Sequence, residues 1–130
     1  NYIEKNPQFI LNGFSPNGDI GNYLVYESDI DGSWSMYFQK LPSFNDDIEV
    51  FFEDNLPINF LNKSSSDQLN PNFANIILEG VEATYMVYES TEDGTSSIYI
   101  VNEDGLSPSA IPSGRISDSE GNDYLPKIQP

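Results

Sequence analysis

The chain has no cysteine and no histidine among its 130 residues. Without cysteine there are no disulfides, thiolate metal sites or thiol nucleophiles. Without histidine the commonest general base and the commonest metal ligand are missing, so a serine has no imidazole to activate it. Positive charge is scarce too: Lys5, Lys40, Lys63, Arg115 and Lys127 stand singly against 21 Asp and Glu, for a net charge of −16. Phosphate backbones need clustered Lys and Arg, so nucleic acid is not an expected partner, and an anionic membrane surface is disfavoured for the same reason. No apolar run approaches the roughly 20 residues of a transmembrane helix, so membrane insertion is not expected. No signal peptide is visible, and a start at Asn1 suggests a processed or trimmed chain. Phosphate-cradling loops and zinc-ligand spacings are absent as well.

What is present is aromatic. Eight Tyr, eight Phe and one Trp, in a chain that is 38% hydrophobic, set it apart from disordered acidic tails and predict a folded core. Residues 23–38 and 85–100, offset by 62, agree at nine of sixteen positions: Tyr, Val, Tyr, Glu, Ser, Asp, Gly, Ser and Tyr. Such self-similarity marks a repeat protein. Short Tyr-, Val-, Ile- and Phe-rich segments punctuated by Gly, Pro, Asn and Asp predict an all-β fold. Each repeated stretch reads as a hairpin: strands 23–28 and 33–39 around Asp29-Ile30-Asp31-Gly32, and strands 85–90 and 96–101 around Thr91-Glu92-Asp93-Gly94.

Asn6-Pro7-Gln8-Phe9 precedes the first hairpin and Asn70-Pro71-Asn72-Phe73 the second. A further β segment is expected after each, at 48–52 and at 110–117, the latter irregular because of Pro112. The segment 122–128, with Pro126, reads as the opening of a third unit. The marking prolines 7, 71 and 126 then give units of 64 and 55 residues (71 − 7 and 126 − 71). Units of four strands at that period fit β-propeller blades. The expected division is a first blade with its link at 1–69, a second blade at 70–125, and the start of a third repeat at 126–130.

In order along the first unit come Pro7, the turn Phe14-Ser15-Pro16-Asn17-Gly18, the strand Leu24-Val25-Tyr26-Glu27-Ser28, Asp31-Gly32, and Met36-Tyr37. The second has Pro71, Met86-Val87-Tyr88-Glu89-Ser90, Asp93-Gly94 and Ile98-Tyr99, with residues around Leu78-Glu79-Gly80 in place of the Ser-Pro turn. This pattern resembles the TolB-type propeller repeat, a relative of the WD repeat common in bacterial envelope proteins. The resemblance implies a blade of four antiparallel strands and a periplasmic, cell-surface or secreted setting. Fold alone does not specify function. Two blades do not close a ring, and Tyr26, Tyr37, Tyr88 and Tyr99 would sit on blade faces. The expectation is therefore further blades, either in a longer parent chain or in copies that close a homo-oligomeric ring, for example three copies giving six blades.

Candidate sites are few. Glu27 and Glu89 occupy equivalent positions in different units, which predicts a structural role in bonding the next blade rather than an acid–base pair. Asp29 and Asp31 alternate as in the opening of a calcium loop, but the remaining ligands of such a loop are missing; a hairpin turn is the simpler reading, and calcium is the one cofactor worth testing. Trp34 has Ser96 as its counterpart, so it is a candidate ligand or partner contact, or packs between blades. Asn62-Lys63-Ser64 has the form of a glycosylation sequon. The functional expectation is a non-catalytic propeller module serving as a protein-interaction scaffold. The alternatives are a carbohydrate-binding propeller and the accessory propeller of a larger hydrolase.

Overall fold

A computed structural model describes residues 2–63, 65–117, 121, 123 and 126. The chain is all-β, in two antiparallel sheets. The first comprises β1 (Glu4–Ile10), β2 (Tyr23–Ser28), β3 (Ser35–Lys40) and β4 (Ile58–Asn59), paired in chain order. The second comprises β5 (Gln68–Leu78), β6 (Val81–Ser90) and β7 (Ser97–Asn102), again in chain order. Among the described residues one α-helix, α1 (Ile48–Asp54), lies between β3 and β4, and a 3-10 turn at Pro16–Gly18 lies between β1 and β2.

Both predicted hairpins form, in the same register. Tyr26 faces Tyr37 and Tyr88 faces Tyr99 across their ladders, each pair stacked at 5.9 Å between ring centres. The turns are identical in kind: the Gly32 N–H donates to the Asp29 carbonyl and the Gly94 N–H to the Thr91 carbonyl, both at 2.9 Å. Gly32 and Gly94 have φ of 95° and 96°, a conformation that penalises any Cβ. The Ser28 and Ser90 hydroxyls accept from the Ile30 and Glu92 N–H groups at 3.2 Å, tying each strand end to its turn.

Strand alternation sets the two sheets face to face. Tyr23, Val25, Met36 and Phe38 of the first sheet share a core with Met86, Tyr88, Tyr99 and Val101 of the second. Phe14 and Phe60 close it from the connecting loops, Phe14 lying 5.4 Å from Phe60 and 5.1 Å from Phe73. A smaller cluster on the far side of the second sheet joins Tyr85, Val87 and Ile100 to Ile111. Of the four tyrosines expected on blade faces, Tyr37, Tyr88 and Tyr99 are buried and Tyr26 is half-buried. The second pair is covered by the first sheet, whereas Tyr26 lies on the first sheet's outward side, opposite Val25.

Two strand expectations are corrected. Residues 48–52 form helix rather than strand: Asp47 caps it, its side chain accepting from the Val50 N–H at 3.2 Å, and Asn55 closes it, donating from its backbone to the Phe51 carbonyl at 2.9 Å. The outer strand of the first sheet is instead the two-residue β4, whose Ile58 and Asn59 face Phe38 and Tyr37. Residues 110–117 form turns and a single bridge, Arg115 to Tyr99, so the second sheet has three strands rather than four among the described residues. Pro112 lacks an N–H and Gly114 sits at φ 79°, which together prevent an extended ladder. The opening of the third repeat at 126–130 is described only at Pro126. Ser64 of the sequon lies outside the described residues.

Candidate functional site

The polar chemistry concentrates where the two sheets meet at their first strands. Both β1 and β5 carry a bulge at their Asn-Pro pair, where the register shifts between Lys5 and Gln8 and between Leu69 and Asn72. Asn6 and Asn70 occupy the left-handed region at φ 52° and 54°, which asparagine tolerates better than most residues. Proline is admissible there because a bulge releases one ladder donor. The bulge turns each Asn amide across the sheet onto the repeated Glu: Asn6 Nδ2 donates to Glu27 Oε1 at 2.9 Å, and Asn70 Nδ2 to Glu89 Oε2 at 2.7 Å.

Glu27, only 1% exposed, also accepts at Oε2 from the Asn70 backbone N–H at 2.8 Å. One buried carboxylate thus binds its own sheet through Asn6 and the next sheet through Asn70. Gln8 adds a parallel tie, Nε2 to the Pro71 carbonyl at 3.0 Å. The expected structural role of Glu27 is what the geometry performs. Beside this junction lies an open cleft of about 250 Å³ lined by Asn6, Gln8, Glu27, Asn70, Asn72 and two prolines, Pro71 and Pro126. Its lining offers side-chain amides and a carboxylate, and no cation.

The three candidates named from sequence lie just beyond Glu27, in and beside the β2–β3 turn. Asp29 Oδ1 accepts from the Ile3 N–H at 2.7 Å, and Asp31 accepts from the Tyr37 hydroxyl. Burial first, and then the bond to Asp31, push the Tyr37 phenol up to about 12. Both carboxylates are thus engaged by donors of the chain itself, and the described residues hold no group of three or more potential metal-ligating side chains. A calcium shell of six to eight oxygens is not assembled from them. In the second repeat Asp93 takes Ser97 Oγ at 3.0 Å and Arg115 Nη1 at 2.9 Å. Burial raises its pKa, but the bonds from Ser97 and the Thr95 N–H, together with the Arg115 charge, outweigh that and hold it below the ordinary value.

Trp34 belongs to the junction rather than to a carboxylate site. Its backbone N–H donates to Asp67 Oδ1 at 2.9 Å, its carbonyl accepts from the Gln68 N–H at 2.7 Å, and the Lys5 ammonium stands 4.0 Å from its ring centre. It is half-buried, with one ring face covered by that cation.

Three participants escaped the sequence reading. The Asn6 and Asn70 side chains were visible only as parts of a turn-like Asn-Pro marker, although their recurrence before each hairpin was the available signal. Glu103 carried no repeat signal at all. Its Oε2 accepts from the Ser15 N–H at 2.6 Å and its carbonyl from the Asn17 N–H at 2.7 Å, so the Ser-Pro-Asn-Gly turn of the first sheet clasps the end of β7.

Comparison with protein-family models, with curated proteins and with solved structures finds no match to this chain.

Proposed function

We propose that the chain is a non-catalytic β-propeller module of TolB-like repeats. It would act as a rigid protein-interaction scaffold within a bacterial envelope or secreted protein. The observation that supports this reading is a junction used twice. The Gln68 N–H enters the second sheet by bonding the Trp34 carbonyl at 2.7 Å, and the Asp123 N–H bonds the Ser96 carbonyl, also at 2.7 Å. Trp34 and Ser96 are repeat equivalents, and so are Gln68 and Asp123 when Pro71 is matched to Pro126. A link repeated in the same way adds sheets about an axis, and such repeats stack one on the next. The carboxylates that could be imagined as an acid–base pair serve the packing instead: Glu27 joins two sheets, and Glu89 holds Asn70. In such a scaffold the variable loops carry recognition.

The test is light scattering coupled to size exclusion, run on the chain and on Leu24→Lys, which charges the outward face of the first sheet. A ring of copies, or association that Leu24→Lys abolishes, supports terminal faces that expect neighbouring blades. A monomer at every concentration, with Leu24→Lys indistinguishable from it, sinks the reading. One observation favours carbohydrate binding as a second reading, namely the amide-lined cleft beside Glu27, whose groups suit hydroxyls. A glycan screen with Gln8→Ala as its control decides that case.

A further inference from the structure

Helix α1 is unusual in burying none of its seven residues. Seven residues are too few for a helix to be stable in water on propensity alone, and helices in proteins are ordinarily held by an apolar face packed on the fold. Here Phe51 and Asn55 turn part-way toward the body, where Gln39 Nε2 donates to the Asn55 carbonyl at 2.9 Å. The apolar side chains beside them are partly or wholly in solvent. Phe44, Ile48, Phe52 and Leu56 recur at intervals of four and are 101%, 62%, 39% and 71% exposed. Ile48 and Phe52 lie one turn apart in the helix, the spacing by which an amphipathic helix presents anchors to a groove, and Phe44 and Leu56 lie just outside its two ends. The stripe is flanked by Asp46, Asp47, Glu49, Glu53 and Asp54, and residues 44–56 contain no cation.

We propose that residues 44–56 are a docking element for a protein partner whose apolar groove is rimmed by lysine and arginine. Charge selects among the possible occupants. A second copy of this chain carries −16 and brings like charge against like charge. An anionic membrane surface repels five carboxylates in the same way. A basic-rimmed groove buries the four apolar anchors and neutralises the flanking acids together, with anchors giving affinity and rim charges giving rate and specificity. The proposal does not depend on the number of blades or on ring closure, so it stands or falls separately from the reading above.

The test titrates the full ¹⁵N-labelled chain with three synthetic probes. The first is a short amphipathic peptide of leucine and lysine only; the second has the same leucines with glutamate for lysine; the third has the lysines without the leucines. The expected result is binding of the leucine–lysine peptide with shift changes confined to residues 44–56. The glutamate peptide should not bind, and the lysine-only peptide should bind at least about tenfold more weakly. Phe44→Ser with Leu56→Ser should weaken binding by a similar factor while leaving the melting temperature unchanged, because these two side chains are the most exposed of the four. Four results overturn the proposal: equal binding of the lysine-only peptide, shifts spread over the acidic surface, undiminished binding by the double variant, or a lowered melting temperature showing that the stripe packs within the fold.

Discussion

Glu27 shows how one residue can join two repeats. It is buried, and each of its oxygens holds one donor, the Asn6 amide and the Asn70 backbone N–H. Removing it takes the charged acceptor from the exposed Asn6 amide and the half-buried Asn70 N–H together, and a hydrogen bond to a charged group is worth about 1.5–3 kcal/mol. Glu27→Ala is therefore expected to lower stability by roughly 2–4 kcal/mol, read as a fall in the urea midpoint. Glu27→Gln keeps one acceptor oxygen and should lie between. A loss under about 0.5 kcal/mol for the alanine variant would mean the carboxylate does not hold the sheets together. Tyr37 supplies a second residue-scale expectation. Its phenol is raised to about 12 by burial and by the bond to Asp31, so that bond stabilises the fold fully below about pH 10 and is lost as pH rises through 12. Asp31→Asn removes the charge but not the burial. The Tyr37 midpoint, followed by NMR of ring-labelled tyrosine, should fall part of the way toward 10; an unmoved midpoint would assign the whole shift to burial.

At the scale of elements, the turns separate glycines that need only their φ from those that also need space. Gly80 closes the β5–β6 hairpin after Glu79, the two residues at φ 78° and 55°, as a two-residue turn of primed type requires. A Cβ at Gly80 meets nothing, so Gly80→Ala should cost only the left-handed penalty of about 1–2 kcal/mol. A Cβ at Gly114 (φ 79°) lies 2.6 Å from Ser107 Oγ and 3.3 Å from the Ile100 carbonyl oxygen. Gly114→Ala should therefore be the more damaging of the two, shifting the urea midpoint further at unchanged slope. Equal effects would mean that the 107–114 turn yields without resistance. The same turns explain what was legible beforehand. Hairpins announce themselves through Asp-Gly and period-2 alternation, and both formed where expected. Helix α1 did not, because Ile48-Glu49-Val50 alternates like a strand for three residues before Phe51-Phe52 breaks the pattern. Its caps were in plain view, with Asp47 ahead of the run and Asn55 with Pro57 behind it. Glu27 could be placed from repetition alone. The bulges that aim Asn6 and Asn70 at their partners could not, since a left-handed residue inside a strand has no periodic signature.

For the molecule as a whole, charge is the dominant global term. Three of the five cations form ion pairs among the described residues: Lys40 with Asp19, Lys63 with Glu92, and Arg115 with Asp93. Five cations cannot neutralise 21 carboxylates, and the chain is left with a net charge of −16. Such surplus keeps a protein soluble and works against its compact state. Raising sodium chloride from about 0.01 M to about 0.15 M shortens the screening length from roughly 30 Å to roughly 8 Å. The melting temperature should therefore climb over that range and then level off. The three exposed ion pairs weaken in the same range, but each is worth at most about 1 kcal/mol, too little to reverse the trend. Calorimetry against salt checks it, and a flat or falling melting temperature would show that the ion pairs outweigh the repulsion. Calcium chloride at matched ionic strength sharpens the experiment. Because Asp29 and Asp31 already accept from Ile3 and Tyr37, calcium should act as bulk screening and give about the same shift as sodium. A larger shift at submillimolar calcium would require a binding shell that these carboxylates could join only by giving up those bonds.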